Sequence, residues 1–480
     1  MAMKTALLDA KLAAINIGLE SFPRSVREAG GTAVHVHWQP PGDGEPALAW
    51  QLAMLAGDDA DPDCIGSRID RANARAIERL LSAQPVWTDV ALHAREIWPD
   101  MGRTLLHAGA PVPWSRMCGP MQGAMTGAVL YEGWADSHDA ARSMLDRGEI
   151  DFGQCHDFAA VGPMAGIISP SMPLLVVKNA VHGNIAYTNI NEGIGRVLRF
   201  GACGAEVIER LRWMERVLAP ALRIAVRAAG GIDLKAIQAQ ALLMGDEVHS
   251  RNAAATAQLF QAIAVALAAS EAERGAMREV LRFIAETSQF FLNFSMASAK
   301  AIMDAAHGIE ASSLVTAIAR NGVTTGIRIG GLGSQWFEAP SDTPQGLYFA
   351  GFTSEDANPD LGDSAIAETA GFGGFSLAAS PALVQLVGGS VAQAVSYSKQ
   401  MLHVTLARNP AMALPLLDFA GAPSGIDVRK VIDTGIRPVL TTGIAHRQAG
   451  LGQIGAGIVR VPLECFSGAL RALALKLGVR

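Results

Sequence analysis

Lysine, tyrosine and paired cysteine are scarce in this 480-residue chain. It has 8 lysines beside 31 arginines, 4 tyrosines, and five cysteines that never form a C-x-x-C. Cys64, Cys118, Cys155, Cys203 and Cys465 are odd in number and widely spaced. That excludes a disulfide framework, a zinc ribbon and a dithiol redox pair, and points to a reducing cytoplasm. Charge is also thin, at 18% of residues with a net of −6, so no basic footprint for nucleic acid exists. The arginine excess either supplies planar forks for carboxylate and phosphate or reflects a GC-rich genome. Long apolar runs are missing too. Residues 252–270 carry no charge, but Thr256, Gln258 and Gln261 interrupt an Ala-rich pattern with bulk at Leu259, Phe260, Ile263, Val265 and Leu267. That is a buried helix, not a membrane span. The first 20 residues carry charges throughout and lack the apolar block of a secretory leader. There is no P-loop, H-E-x-x-H, G-x-S-x-G or complete G-x-G-x-x-G.

Apolar residues make up half of the chain and glycine is abundant, 50 of 480. The length suffices for two to four domains with at least one sizeable core. The pattern predicts an α+β fold: mixed α/β domains with strands and glycine-rich loops, interrupted by an all-helical insertion. A small strand–helix–strand unit fills 1–50, from AAINIGL (13–19), SFPRSVREAG (21–30) and TAVHVHW (32–38). A unit of that size cannot bury a core alone and must dock on something. An α/β domain follows over 60–203, beginning with a helix near 67–82 that Ser67 can cap. Residues 204–307 read as helical without strands, kinked or broken at Pro220. Strand signals resume over 308–480, where Asn321-Gly322 divides two β-rich runs, the strongest short hairpin signal. Helices are expected near 364–379, 390–407 and 462–477.

Three loops mix glycine with ionisable or amide groups: 107–123, 155–166 and 189–196. Glycine-rich backbone ahead of a helix leaves N–H groups free for an anion, although glycines also simply make turns. The loops are expected to converge on one pocket. Met244–Asn252 is the densest polar cluster. On a helix, Asp246, His249 and Asn252 would share a face, as a metal site, a substrate-facing patch or a cap formed by Asp246. Asp360, Asp363 and Glu368 lie around another helix start, and His446 stands beside a glycine loop.

Long runs in one order carry a family resemblance. They include LLHAG (105–109), GPMQGA (119–124), EGWA (132–135), NEGIGRVLRFG (191–201), MGDEVHSRN (244–252), QFFLNF (289–294), ANPDLGDSAI (357–366) and TGIAHRQAGLGQIGAG (442–457). From about Gln84 to the C-terminus the chain resembles the AllG (YlbE-type) subunit family of oxamate carbamoyltransferase. Residues 15–41 look like the closing segment of FdrA-type proteins. The resemblance implies carbamoyl transfer between carbamoyl phosphate and oxamate, with oxalurate on the other side, in allantoin and purine catabolism. It implies FdrA-type and AllH-type partner subunits, a possible homo-oligomer, and neither cofactor nor metal. The Ser-x-Arg-Thr and His-Pro-x-Gln motifs of aspartate- and ornithine-type transcarbamoylases are missing, so their site cannot be transferred. For proton transfer the candidates are His107, His156, His446 and Glu192. Substrate binding is assigned to Gly119, Met121, Gly123, Gly162, Met164, Gly166, Asn189, Asn191, Gly193, Arg196, Arg251, Asn252, Arg320, Asn321, Gln345, Asp363 and Gln453, with Arg196, Arg251 and Arg320 as anion forks. Two rival readings remain: a metal-assisted amide hydrolase using Asp246, His249, Asp360 and Asp363, and a non-catalytic docking subunit.

Overall fold

A computed structural model describes residues 12–36, 40–58, 60–270 and 273–479. Trp38, at the end of the third N-terminal segment, and the leader reading of residues 1–11 lie outside the described residues. Ala13–Ile17 (β1) and Thr32–Val36 (β2) run parallel, with Ile15 opposite Val34, and Ser21–Glu28 is the connecting helix. Along both strands every second residue is exposed, so Ile15, Ile17, Val34 and Val36 form an outward apolar face.

Ile65–Ser82 (α1) begins two residues before the expected start. Its cap is Cys64, whose sulfur accepts the Ser67 N–H, so Ser67 is not the cap. Pro85–Ala91 (β3) opens a five-stranded sheet. Helix Gly119–Tyr131 (α2) follows, then Leu174–Asn179 (β4) and Ile185–Asn189 (β5), antiparallel to one another. The order across this sheet is Ile232–Asp233 (β6), β3, β4, β5 and Ala160–Val161.

β6 corrects the expectation of a strand-free helical block. Gly230 and Gly231, both at positive φ, end the helix Ala219–Ala228, and Asp233 caps the next helix by accepting the Ala236 N–H. The two extended residues between those helices pair with Val86 and Trp87 on the open edge of β3. At Pro220 the helix does not break. A π-helical turn over Met214–Leu218 widens the helix just before the proline, where its missing N–H and its ring would disrupt an α-helical ladder.

Helix Ala253–Ala268 (α3) is the predicted uncharged helix. Leu292–Ala306 (α4) is buried at every position except Asp304. A helix apolar or small all round belongs inside, and α4 packs against β4, β5, α1 and the next sheet. Phe294 on α4 meets Trp87 edge-on at 4.8 Å. The Asn-Gly signal is met by the hairpin Val315–Asn321 (β7) and Thr324–Ile329 (β8). Gln345–Tyr348 (β9), Val439–Ala445 (β10) and Gln453–Arg460 (β11) form a three-stranded antiparallel sheet in the order β9, β11, β10. The helix expected over 390–407 ends at Met401, because Thr405–Leu414 pairs with Ala420–Ile426 as a strand. No helix among the described residues is long and apolar enough to cross a membrane.

Helix α2 approaches its neighbours without side chains between them. A Cβ at Gly123 would lie 2.2 Å from the Gly201 carbonyl oxygen, and one at Gly119 would lie 2.4 Å from that of Arg447. Gly123→Ala is therefore expected to push α2 off the 198–203 turn and cost about 1–3 kcal/mol, read as a fall in the denaturant midpoint.

Candidate active site

One cavity of about 260 Å³ lies where several of these segments meet. Its wall takes Pro163 and Met164 from the second glycine loop, Ile194 and Gly195 from the third, Arg199 from the turn just after it, and His249, Ser250 and Gln289 from the helical block. Ser364, Gly443, Gly452 and Gln453 close it from the C-terminal part. The first glycine loop does not line it. That loop joins from behind: the buried Asp363 carboxylate accepts the Gly109 N–H at 2.7 Å and the Gly162 N–H at 3.0 Å. Two of the three loops thus share the cavity, and the first is tied to the second through one carboxylate.

Arg199 is the cavity's cation. It is 3% exposed; Nη2 donates to the Gly193 carbonyl, the guanidinium lies over the Phe200 ring at 5.2 Å, and Nε has no partner. Burial pulls its pKa down to about 10 against the opposing field of Glu192, so it is charged at neutral pH. Glu192 forms no close ion pair with it. Its two oxygens accept the backbone N–H groups of Leu198 and Arg199 at 2.6 and 3.2 Å, which fixes the turn carrying Arg199. Ser250 supplies a second buried, unpartnered polar atom, its Oγ. An unpaired guanidinium N–H and an unpaired hydroxyl in one recess are costly unless a ligand completes them.

His249 is the titratable group on the wall. Burial would lower its pKa, but the Glu368 carboxylate, 2.8 Å from Nδ1, outweighs that and holds it above the ordinary histidine value. Behind it Glu247 accepts the N–H groups of His249, Ser250 and Arg251, yet burial pushes its carboxyl up to about 7. The segment 244–252 is not helical, contrary to expectation. It is an irregular connection with Val248 at φ 53°, and α4 holds it through Ser295, whose hydroxyl donates to the Val248 carbonyl. Asp246 does cap, but from a distance: it accepts the N–H groups of Ala254 and Ala255 at the start of α3 and pairs with Arg251 at 3.1 Å. Asp246, His249, Asp360 and Asp363 each have separate partners. Among the described residues, no group of three or more His, Cys, Asp or Glu is placed to hold a metal.

Of the residues singled out from sequence, Met164 and Gln453 line the cavity and many others buttress it. Asn189 and Asn191 are hydrogen-bonded to Asn293 of α4, Asn252 donates to the His249 carbonyl, and Gly166 accepts the Ala108 N–H. Arg320 is wholly buried and each of its three nitrogens donates to protein, chiefly to Asp360 at 2.7 Å and the Gly362 carbonyl at 2.8 Å. Asn321 holds its own hairpin turn, and Met121 is in the core. His107 and His156 are buried and burial lowers both pKa values; His156 lies 3.5 Å from Asp363. His446 accepts the Gln448 N–H through Nδ1. Arg196 is on the surface near Glu206 and, with Gly119 and Gly123, lines a separate cavity; Gln345 lines a third. Arg199, Ser250, Gln289 and Ser364 were not singled out, although each lies within or beside a run that carries the family resemblance.

Two outcomes follow. Arg199→Ala should remove most of the thermal stabilisation that phosphate or oxamate confers on the chain, weakening the apparent affinity about tenfold to a hundredfold, with Arg199→Lys restoring part of it. Glu247 has a folded pKa of about 7, raised above its unfolded value of about 4.3, so its share of stability is complete below the lower value and is lost as pH rises to the higher one. Glu247→Gln should flatten that decline, measured as unfolding midpoints across the same pH window.

Residues 150–364 match the family described as "Oxamate carbamoyltransferase subunit AllG", a span that takes in Glu192, Arg199, the 244–252 connection, Arg320 and Asp363. The chain is 50% identical over 414 residues to the Escherichia coli (strain K12) protein named oxamate carbamoyltransferase subunit AllG, covering 86% of this chain and 99% of that one. It is 44% identical over 478 residues to the uncharacterized protein YahG of the same strain, covering 99% and 100%. Among solved structures, a conserved protein of unknown function from Enterococcus faecalis V583 superposes with a TM-score of 0.83 at 44% identity, covering 86% of this chain and 99% of that one. With 50% identity to AllG over 414 residues and 99% of that relative covered, the chain belongs to the AllG family of oxamate carbamoyltransferase subunits.

Proposed function

We propose that the chain is a working subunit of an oxamate carbamoyltransferase and that the Arg199 cavity takes the anionic substrates. The reaction moves a carbamoyl group between carbamoyl phosphate and oxamate, with oxalurate and phosphate on the other side, in the nitrogen catabolism of purines and allantoin. The observation that carries this reading is one cavity lined both by the buried Arg199, with an unpartnered N–H, and by Ser250, with an unpartnered hydroxyl. The transfer needs an amide nitrogen held against the carbamoyl carbon, donors for the oxyanion that develops there, and a cation for the phosphate or carboxylate. Arg199 supplies the cation. His249, whose pKa Glu368 raises, supplies a hydrogen-bonding ring nitrogen, and the Gln289 and Gln453 amides orient the substrates. Carbon–oxygen cleavage at the carbamoyl carbon releases phosphate as the amide nitrogen bonds, and the departing phosphate takes the proton that this nitrogen loses, so no enzyme nucleophile takes part.

The name of the AllG relative, a subunit, supports assembly with other chains. The proposed partners are FdrA-type and AllH-type subunits, with the N-terminal unit as a docking element. The cytoplasm is the proposed location, consistent with five free cysteines.

The test is activity of the complex reconstituted with those partners. Arg199→Ala and His249→Asn should each lower kcat/KM about a hundredfold or more while the assembly elutes unchanged on size exclusion. If both variants keep full activity in an intact assembly, the reaction takes place on a partner and this chain docks.

A further inference from the structure

Strands β9 and β11 border two cavities. At one end Phe349, just past β9, and Gln453 and Ala456 of β11 face the Arg199 site; at the other, Gln345 of β9 and Arg460 of β11 line a separate cavity of about 650 Å³. Gln453 and Arg460 are seven residues apart, roughly 23 Å along a strand. Tyr397, Gln393, Thr343, Arg437 and Asp342 also line the second cavity.

Its electrostatics set it apart. Among the described residues, every arginine that is not exposed has a carboxylate within 4.0 Å except Arg199, Arg210 and Arg460. Arg199 and Arg210 lie in the field of Glu192. Arg460 has no such neighbour. Its Nη1 donates to the Arg437 carbonyl, its Nη2 to the Gln400 side chain, and its guanidinium stands over the Tyr397 ring at 5.6 Å. The nearby charge is a second cation, Arg437, whose own carboxylate, Asp342, is 3.7 Å away and 55% exposed. Burial and the Arg437 charge both pull the Arg460 pKa down, against the influence of Tyr397. Two guanidiniums and one carboxylate, Asp342, line one recess, so it keeps a net positive charge. Folding a half-buried cation against another is unfavourable unless something negative enters between them.

We propose that this cavity is a second ligand site, for a polar small molecule whose phosphate or carboxylate head sits between Arg437 and Arg460. The amides of Gln345 and Gln393 and the Thr343 hydroxyl offer both donors and acceptors to the rest of such a molecule. The space is more than twice that of the Arg199 cavity, so it admits a ligand larger than either carbamoyl phosphate or oxamate. The site stands on different side chains from the transferase reading and does not depend on it.

The experiment follows thermal unfolding of the full chain on an Arg199→Gln background, which removes the cation of the other cavity. Inorganic phosphate and succinate are titrated separately, each against sodium chloride at equal ionic strength. Stabilisation beyond that of chloride is expected from at least one of them, and the tighter of the two identifies the head group. Arg460→Gln and Arg437→Gln should each weaken the apparent affinity about tenfold or more, with Arg460→Lys recovering part. Arg437, 39% exposed, carries the test if Arg460→Gln does not fold. No stabilisation beyond chloride on the Arg199→Gln background overturns the proposal. So does stabilisation that Arg437→Gln leaves unchanged.

Discussion

The site depends on one buried carboxylate. Asp363 is fully enclosed, and burial alone would raise its pKa; His156 and the N–H groups of Gly109 and Gly162 outweigh that and hold it below the ordinary carboxylate range. An interior anion persists only where donors surround it. Here the donors come from segments more than two hundred residues away in sequence, and the Asp363 N–H in turn donates to the Gly162 carbonyl. The arrangement locks the loop after Thr104–His107, the Gly162–Gly166 turn and the stretch carrying Ser364 into one body. Gly362, at φ 110°, is part of the same fit, since a Cβ there would lie 2.4 Å from the Met164 nitrogen.

Burial by itself does not distinguish a ligand-binding arginine from a structural one. Arg320 and Arg199 are both almost wholly enclosed, yet the first gives each nitrogen a protein acceptor and the second leaves Nε without one. Glu192 explains the difference. Its oxygens are occupied by backbone N–H groups, so it lends Arg199 a compensating field without closing around the guanidinium. His249 shows the converse arrangement, in which a direct carboxylate contact raises the pKa of a group on the cavity wall.

Local signals were readable where local physics decides the outcome. The Asn-Gly hairpin and the uncharged helix α3 follow from turn chemistry and periodicity. Two features were not readable because tertiary pairing creates them. β6 is two residues between helices, extended only because β3 offers an open edge. The 244–252 connection has helical spacing of Asp246, His249 and Asn252, but Ser295 of α4 and three N–H bonds to Glu247 hold it irregular. At the site, the family runs marked the right stretches, while the choice within them went to Arg196 rather than Arg199. The two are three residues apart, and only the turn fixed by Glu192 decides which one faces inward.

The N-terminal unit has an uneven balance of surfaces. β1 and β2 are parallel, a pairing that proteins normally cover on both faces, and here Ile15, Ile17, Val34 and Val36 face outward, at 77%, 64%, 57% and 38% exposure. Two strands and one short helix bury too little apolar area to offset the entropy of ordering them. Any chain that covered that face would raise the unit's folded population by mass action, in proportion to its own concentration.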